Sequence, residues 1–224
     1  PDLEAESAAN IELLGQFRFS DVLGADAVTL QASVFHNSVD DFIEQVVSGP
    51  FFAPFPDPGV TRWVNVDEAT IRGLELQGSY RRNGLLARAA YGLTRGEDDR
   101  SGQDLTNIPA DTFIADVSYG LPVWSLVAGL RYTHARAQHR VDVPDNDGSL
   151  QFDGYELTDI YLSWEPSALP ALKVDLNINN LTDEFYRRAW SQLPDAGREV
   201  ILDDMIAGQY FGEMAAIDGQ PRSA

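Results

Sequence analysis

Apolar and polar residues alternate along this chain in short bursts, and the first burst is the cleanest. Ile11, Leu13, Gly15, Phe17 and Phe19 fall on one side of an extended backbone, while Glu12, Gln16 and Arg18 fall on the other, with Leu14 the exception. Successive side chains of a strand point to opposite faces, so this period of two makes one apolar and one polar surface. The pattern returns over 28–35, where Val28, Leu30, Ala32 and Val34 alternate with Thr29, Gln31 and Ser33. A third strand carries Leu74, Leu76, Gly78 and Tyr80 opposite Glu75, Gln77 and Ser79. Leu85 to Leu93, Phe113 to Tyr119, Trp124 to Tyr132, Ile160 to Trp164 and Leu172 to Ile178 continue it, each apolar at every second position. The stretch 198–211 is a ninth candidate, although Val200, Ile201 and Leu202 are consecutive and Asp203 and Asp204 break the alternation.

The connections alternate too. Residues 20–26, the Arg81, Arg82, Asn83, Gly84 reversal, Leu121 to Val123 and the segment through Pro166 and Pro170 are short. Residues 49–59, 96–107 and 134–154 are long, and they fall at the other end of the hairpins. Asn-Gly tolerates the positive φ that a tight hairpin needs. Strands of roughly ten residues, brief turns at one end and extended loops at the other are the plan of an outer-membrane barrel. Phe19, Tyr80, Tyr119, Trp124 and Trp164 cluster toward the short-turn end, where an interfacial aromatic girdle belongs. The expected fold is all-β: an antiparallel up-and-down meander forming part of a transmembrane β-barrel.

Composition narrows the function. No run of about 18 apolar residues exists, so a spanning helix is excluded, whereas a barrel needs apolar residues only at alternate positions. A net charge of −19 argues against nucleic acid as a partner, because phosphate binding needs a basic surface. Much of the acidity falls in loops, at Glu97, Asp98, Asp99 and Asp104 and at Asp142, Asp145, Asp147 and Asp153, where water solvates it. With no cysteine, disulfides, thiolate metal sites and cysteine nucleophiles are unavailable. The chain opens at Pro1 and Asp2 without a signal-peptide pattern, so either a signal was removed or, as is expected here, the chain is a fragment.

Three segments resemble the C-terminal barrel of TonB-dependent outer-membrane receptors. Pro1, Asp2, Leu3, Glu4, Ala5, Glu6 and Ser7, with Asn10, Ile11 and Glu12, are similar to a family segment that enters a barrel strand. Asn65, Asp67, Ala69, Ile71, Gly73 and Glu75 resemble a recurring family strand. Asn180, Leu181, Thr182, Asp183 and Tyr186, followed by Gly197 and Arg198, resemble its closing motif. The resemblance spans nearly all of 1–224 and implies a receptor of about 22 strands, of which this is about the last nine. It also implies a plug domain, which the chain lacks, through which the TonB system would act, and outer-membrane lipid around the barrel. One departure stands out: the family usually ends on an aromatic residue, whereas this chain continues past Phe211 to Ala224.

The opening segment and the 186–198 loop are closer to the haem branch than to the siderophore branches, so the implied ligand is haem or another iron chelate. In that branch a loop histidine commonly helps to hold haem iron, a role that suits imidazole nitrogen. Of the three histidines, His36 reads as a rim residue, whereas His134 and His139 flank Arg136 and Arg140 in one predicted loop. Those four are the candidate ligand-binding residues, against the plainer reading of solvated loop residues. Asp145, Asn146, Asp147 and Gly148 superficially resemble a calcium loop, but counting from Asp142 puts Pro144 third and Asp153 twelfth, where glutamate is required. No metal or cofactor is indicated. No phosphate loop, nucleophile elbow or zinc-protease motif occurs, so an enzyme is not expected. Two alternatives to the receptor remain open: a small self-contained barrel serving as pore or structural element, and a soluble β-sandwich that binds a partner.

Overall fold

The computed structural model describes residues 3–24, 26–48, 60–105, 108–139 and 152–186. Eight strands follow one another: β1 (Ser7–Ser20), β2 (Asp26–Ser48), β3 (Val60–Arg82), β4 (Leu85–Asp98), β5 (Thr112–Leu121), β6 (Leu126–Ala135), β7 (Tyr155–Trp164) and β8 (Val174–Ile178). They form one sheet in sequence order, every neighbouring pair antiparallel. This is the expected meander, and among the described residues it is open, running from β1 to β8. The ninth candidate strand lies outside the described residues. No described helix is long and apolar enough to cross a membrane, a statement that does not bear on strands.

The sheet has its faces exchanged relative to a water-soluble protein. Directly opposed residues share a face, and the register puts Leu13, Val34, Leu74 and Leu93 side by side on the face of the apolar positions. That face is exposed within the sheet as well as at its edge: Val117 of β5 is 47% accessible and Leu130 of β6 45%. On the opposite face Ser33, Asp116 and Ser118 are buried, Asp116 at 1%. Burying apolar surface is worth roughly 25 cal/mol per Å², so an apolar exterior wrapped around a polar interior is stable only where the exterior meets lipid. The sandwich alternative fails here, since no second sheet covers the apolar face among the described residues.

Turn chemistry sets the short-turn end. Asn83 and Gly84 take φ 46° and 87°, as a two-residue hairpin turn requires. Pro122–Trp124 forms a single 3-10 turn, closed by Ser125 at φ 52° donating to the Pro122 carbonyl. The Trp164 indole donates to the Trp124 carbonyl at 3.1 Å, which ties two of the girdle aromatics across neighbouring hairpins.

At the other end the strands outrun the alternation. The pattern predicts strands over 28–35 and 74–80, yet β2 and β3 each run 23 residues and stay paired from Asp26↔Arg82 to Ser48↔Val60. Backbone pairing does not depend on side-chain polarity, so the ladder continues past the apolar band without alternate apolar residues. The residues there are different in kind. Ala69, Leu105 and Ile108 form a small buried cluster with Phe42 and Ile71 packed against it, so the β4–β5 loop is folded onto the sheet. Gly96 makes room for it: a Cβ there would meet Ile108 Cδ1 at 2.6 Å.

Candidate functional site

Two regions of the inner face carry chemistry: a charged row halfway along the strands and the loop-bearing mouth above it. The row comes from register alone. Arg88 of β4 opposes Asp116 of β5, Asp116 opposes Arg131 of β6, and Arg131 opposes Asp159 of β7, so charge alternates across four neighbouring strands. Arg88 Nη2 donates to Asp116 Oδ1 at 3.1 Å, and Arg131 Nε lies 3.4 Å from Asp116 Oδ2. The Tyr161 hydroxyl donates to the same carboxylate at 3.1 and 3.2 Å. Two cations and a phenol thus converge on one buried anion, and with Asp159 beyond Arg131 the row carries two charges of each sign. Sequence reading places these residues on polar faces but not together, because partners 28 and 45 positions apart become neighbours only once the register is set.

The family motifs turn out to be joints. Asn65 accepts from the Glu4 N–H at 2.9 Å and donates to the Glu4 and Asp41 carbonyls at 3.1 and 2.6 Å. The Glu6 carboxylate accepts from the Ile43 N–H at 2.6 Å. The opening segment is therefore pinned to the strand motif at the point where Asp41 takes φ 56°. In the closing motif, the Asn180 N–H donates to Asp159 at 2.8 Å and its amide clasps the Glu184 backbone in both directions at 2.9 and 3.0 Å. Leu181 donates to the Thr158 carbonyl, and Asn180 and Asp183 adopt φ 50° and 53° in a tight turn. Tyr186 then stacks on Tyr155, ring centroids 4.6 Å apart. Thr182 sits in the turn, while Gly197 and Arg198 lie outside the described residues.

Of the four candidate ligand residues, three lie within the described residues. His134 is predicted in a loop, but it lies in β6, opposite Glu156 of β7, with its Nδ1 3.3 Å from Glu156 Oε1. The strand continues past the apolar band for the same reason that β2 and β3 do. By parity with Leu126, Leu130 and Tyr132, His134 is on the outward face. Arg136 Nη1 lies 3.6 Å from Asp111 Oδ2. His139 is exposed, and Arg140 lies outside the described residues, as do Asp142, Asp145, Asn146, Asp147 and Gly148. His36 lies within β2, on the outward face one row beyond Val34. Among the described residues no group of three or more His, Asp or Glu side chains is placed to hold a metal ion.

The β4–β5 loop is tightened by its own acids. Asp98 accepts from the Ser101 hydroxyl at 2.6 Å and from the Arg100 and Ser101 N–H groups at 2.8 and 3.3 Å. These bonds, the Ser101 hydroxyl foremost, hold its carboxyl below the ordinary aspartate value. So this acidic loop segment is partly structural, rather than only solvated charge.

Residues 1–181 match the family described as TonB dependent receptor-like, beta-barrel. The chain belongs to that family. Among relatives of this TonB-dependent receptor barrel, the heme/hemopexin utilization protein C of Haemophilus influenzae is 30% identical over 212 residues, covering 88% of this chain and 29% of that protein. A hemin receptor of Yersinia pestis is 26% identical over 202 residues, covering 89% and 28%. The receptor barrel therefore spans less than a third of the length of the curated relatives it matches. In fold it is similar to the copper transporter OprC, with a TM-score of 0.67 at 18% identity over 84% of this chain and 28% of that one. The FrpB iron transporter of Neisseria meningitidis gives 0.62 at 20% identity, over 86% and 28%.

Proposed function

We propose that this chain is the C-terminal part of the barrel of a longer outer-membrane receptor that imports an iron compound, haem foremost, with energy delivered through TonB. The exposed apolar face opposite a buried polar one carries the membrane reading. Family membership over 1–181 supports the receptor class, and the relatives named for heme and hemin favour haem among iron compounds. The row of Arg88, Asp116, Arg131 and Asp159, with Tyr161 on Asp116, fits the polar inside of such a barrel, where alternating charges pair across the strands. Exposed His139 and its sequence neighbour Arg140 are the residue types suited to haem, imidazole for the iron and guanidinium for a propionate. His134 and Arg136, engaged by Glu156 and Asp111, serve the outer rim instead.

The test is growth on haem as sole iron source in a Gram-negative host lacking its own haem receptors. The full-length protein should support growth only when TonB is present, and His139→Ala should slow it. Growth independent of TonB would point to a passive pore. Growth on ferric siderophores but not on haem would overturn the ligand assignment.

A further inference from the structure

The outward face changes character abruptly at one height. The register aligns Leu13, Val34, Leu74 and Leu93 across the first four strands, and the next outward row is Ile11, His36, Arg72 and Arg95. One further row brings Ala9, Ser38, Thr70 and Glu97, and above that stand Asp40 and Glu68. Rows of the same face are roughly 6.6 Å apart along a strand, and neighbouring strands are about 4.8 Å apart. Three nitrogen-bearing side chains therefore occupy roughly 10 Å of rim directly above the apolar band, with carboxylates beginning one row higher.

Charge sorted by height is not what composition predicts. Acidic residues outnumber basic ones 35 to 16 in the chain, yet this row on β1 to β4 has no carboxylate. Arg72 and His36 are exposed. Arg95 is preset: its Nη1 donates to Asp111 at 2.5 Å and to the Thr94 carbonyl at 2.7 Å, and its Nη2 donates to Asp111 at 2.9 Å. That leaves its Nε–H and one Nη2–H for another acceptor. Asp111 is itself buried and shared with Arg136, while Asp104 is a further carboxylate that acts on Arg95.

We propose that His36, Arg72 and Arg95 form a binding site for the phosphate-bearing headgroup of a membrane lipid in the leaflet around the loop-side rim. This rests on the membrane reading above. The acyl chains would lie on Leu13, Val34, Leu74 and Leu93, and the phosphate would meet the two guanidiniums and the imidazole N–H. The site commits to a lipid because a soluble anion would gain nothing from the apolar band beneath, and the acidic rows above would repel it.

The experiment is native mass spectrometry of the full-length receptor in neutral detergent, with phosphatidic acid, phosphatidylcholine or inorganic phosphate added. Phosphatidic acid should remain bound about tenfold more strongly than phosphatidylcholine, whose phosphate is masked by choline. Loss of the Arg72 charge in Arg72→Gln should weaken retention about fivefold, loss of the imidazole donor in His36→Gln should also weaken it, and Arg72→Lys should keep most of it. Equal retention of both lipids, no loss in R72Q/H36Q, or displacement by equimolar inorganic phosphate would overturn the proposal. Gel mobility that shifts on heating reports whether each variant is a folded barrel. A protein that needs no detergent to stay dispersed refutes the membrane reading itself, while a folded barrel with no lipid preference refutes only the site.

Discussion

The phenol ring of Tyr161 lies across Gly129 on the neighbouring strand, and a side chain at 129 would overlap it. The same ring reaches Asp116 through its hydroxyl, so the glycine is what allows a tyrosine on β7 to join a carboxylate on β5. Gly129→Ala is expected to push the ring off that carboxylate and cost about 1 to 3 kcal/mol in detergent unfolding of the full-length protein. In a Tyr161→Ala background the same change should cost far less. Equal costs in both backgrounds would show that the ring is not what the glycine accommodates.

Asp116 is the single anion between Arg88 and Arg131, nearly inaccessible to water. Asp116→Ala removes their shared partner and the acceptor of Tyr161, for an expected loss of at least about 2 kcal/mol. Asp116→Asn keeps an acceptor and should lose less. Urea midpoints of the two variants, followed by tryptophan fluorescence, give the comparison.

The Asn83–Gly84 turn combines φ 87° at Gly84 with a backbone neighbour, since a Cβ there would stand 2.8 Å from the Gly120 carbonyl oxygen. Gly84→Ala therefore meets both backbone strain and a contact that no rotamer relieves, for roughly 1 to 3 kcal/mol. Gly24 also has positive φ, at 86°, but nothing lies within 4 Å of its Cβ position. Gly24→Ala should be the milder change in the same thermal melt, because only the strain applies.

The meander, the face assignment and the short-turn end were legible because lipid and lumen impose opposite demands on alternate residues, as at Leu76 and Gln77. Where that demand stops, the pattern stops with it. Val39 and Ala69 pair beneath a loop cluster in a region that lacks the alternation, and His134 reads as loop although it is strand. The charged row was invisible for another reason: Arg88, Asp116 and Tyr161 are ordinary polar-face residues until the register brings them together. The Asn65 and Asn180 motifs could be recognised as family marks, but their roles as backbone clasps needed the fold.

Asp98 supplies a pH dependence. Its carboxyl is held below the ordinary value by Ser101 and the loop N–H groups, so the unfolded loop binds a proton more readily than the folded one. The contribution is complete above the ordinary aspartate value, about 4, and is lost as pH falls through the lowered folded value. Hydrogen exchange or proteolysis at residues 98–105 should increase over that acidic window. Asp98→Asn should raise exchange at neutral pH and flatten the acid response. An unchanged acid response in the variant would assign it to other groups.

Spin labels placed one at a time along β3 of the full-length receptor in bilayers test the inside-out sheet most directly. Leu74→Cys, Leu76→Cys and Gly78→Cys labels should collide readily with oxygen, which concentrates in lipid, while Glu75→Cys, Gln77→Cys and Ser79→Cys labels should favour a water-soluble nickel chelate. The expected result is a period of two that tracks the exposed apolar and sheltered polar faces. Uniform access to the chelate along the strand, or oxygen access greatest at Gln77, would contradict it.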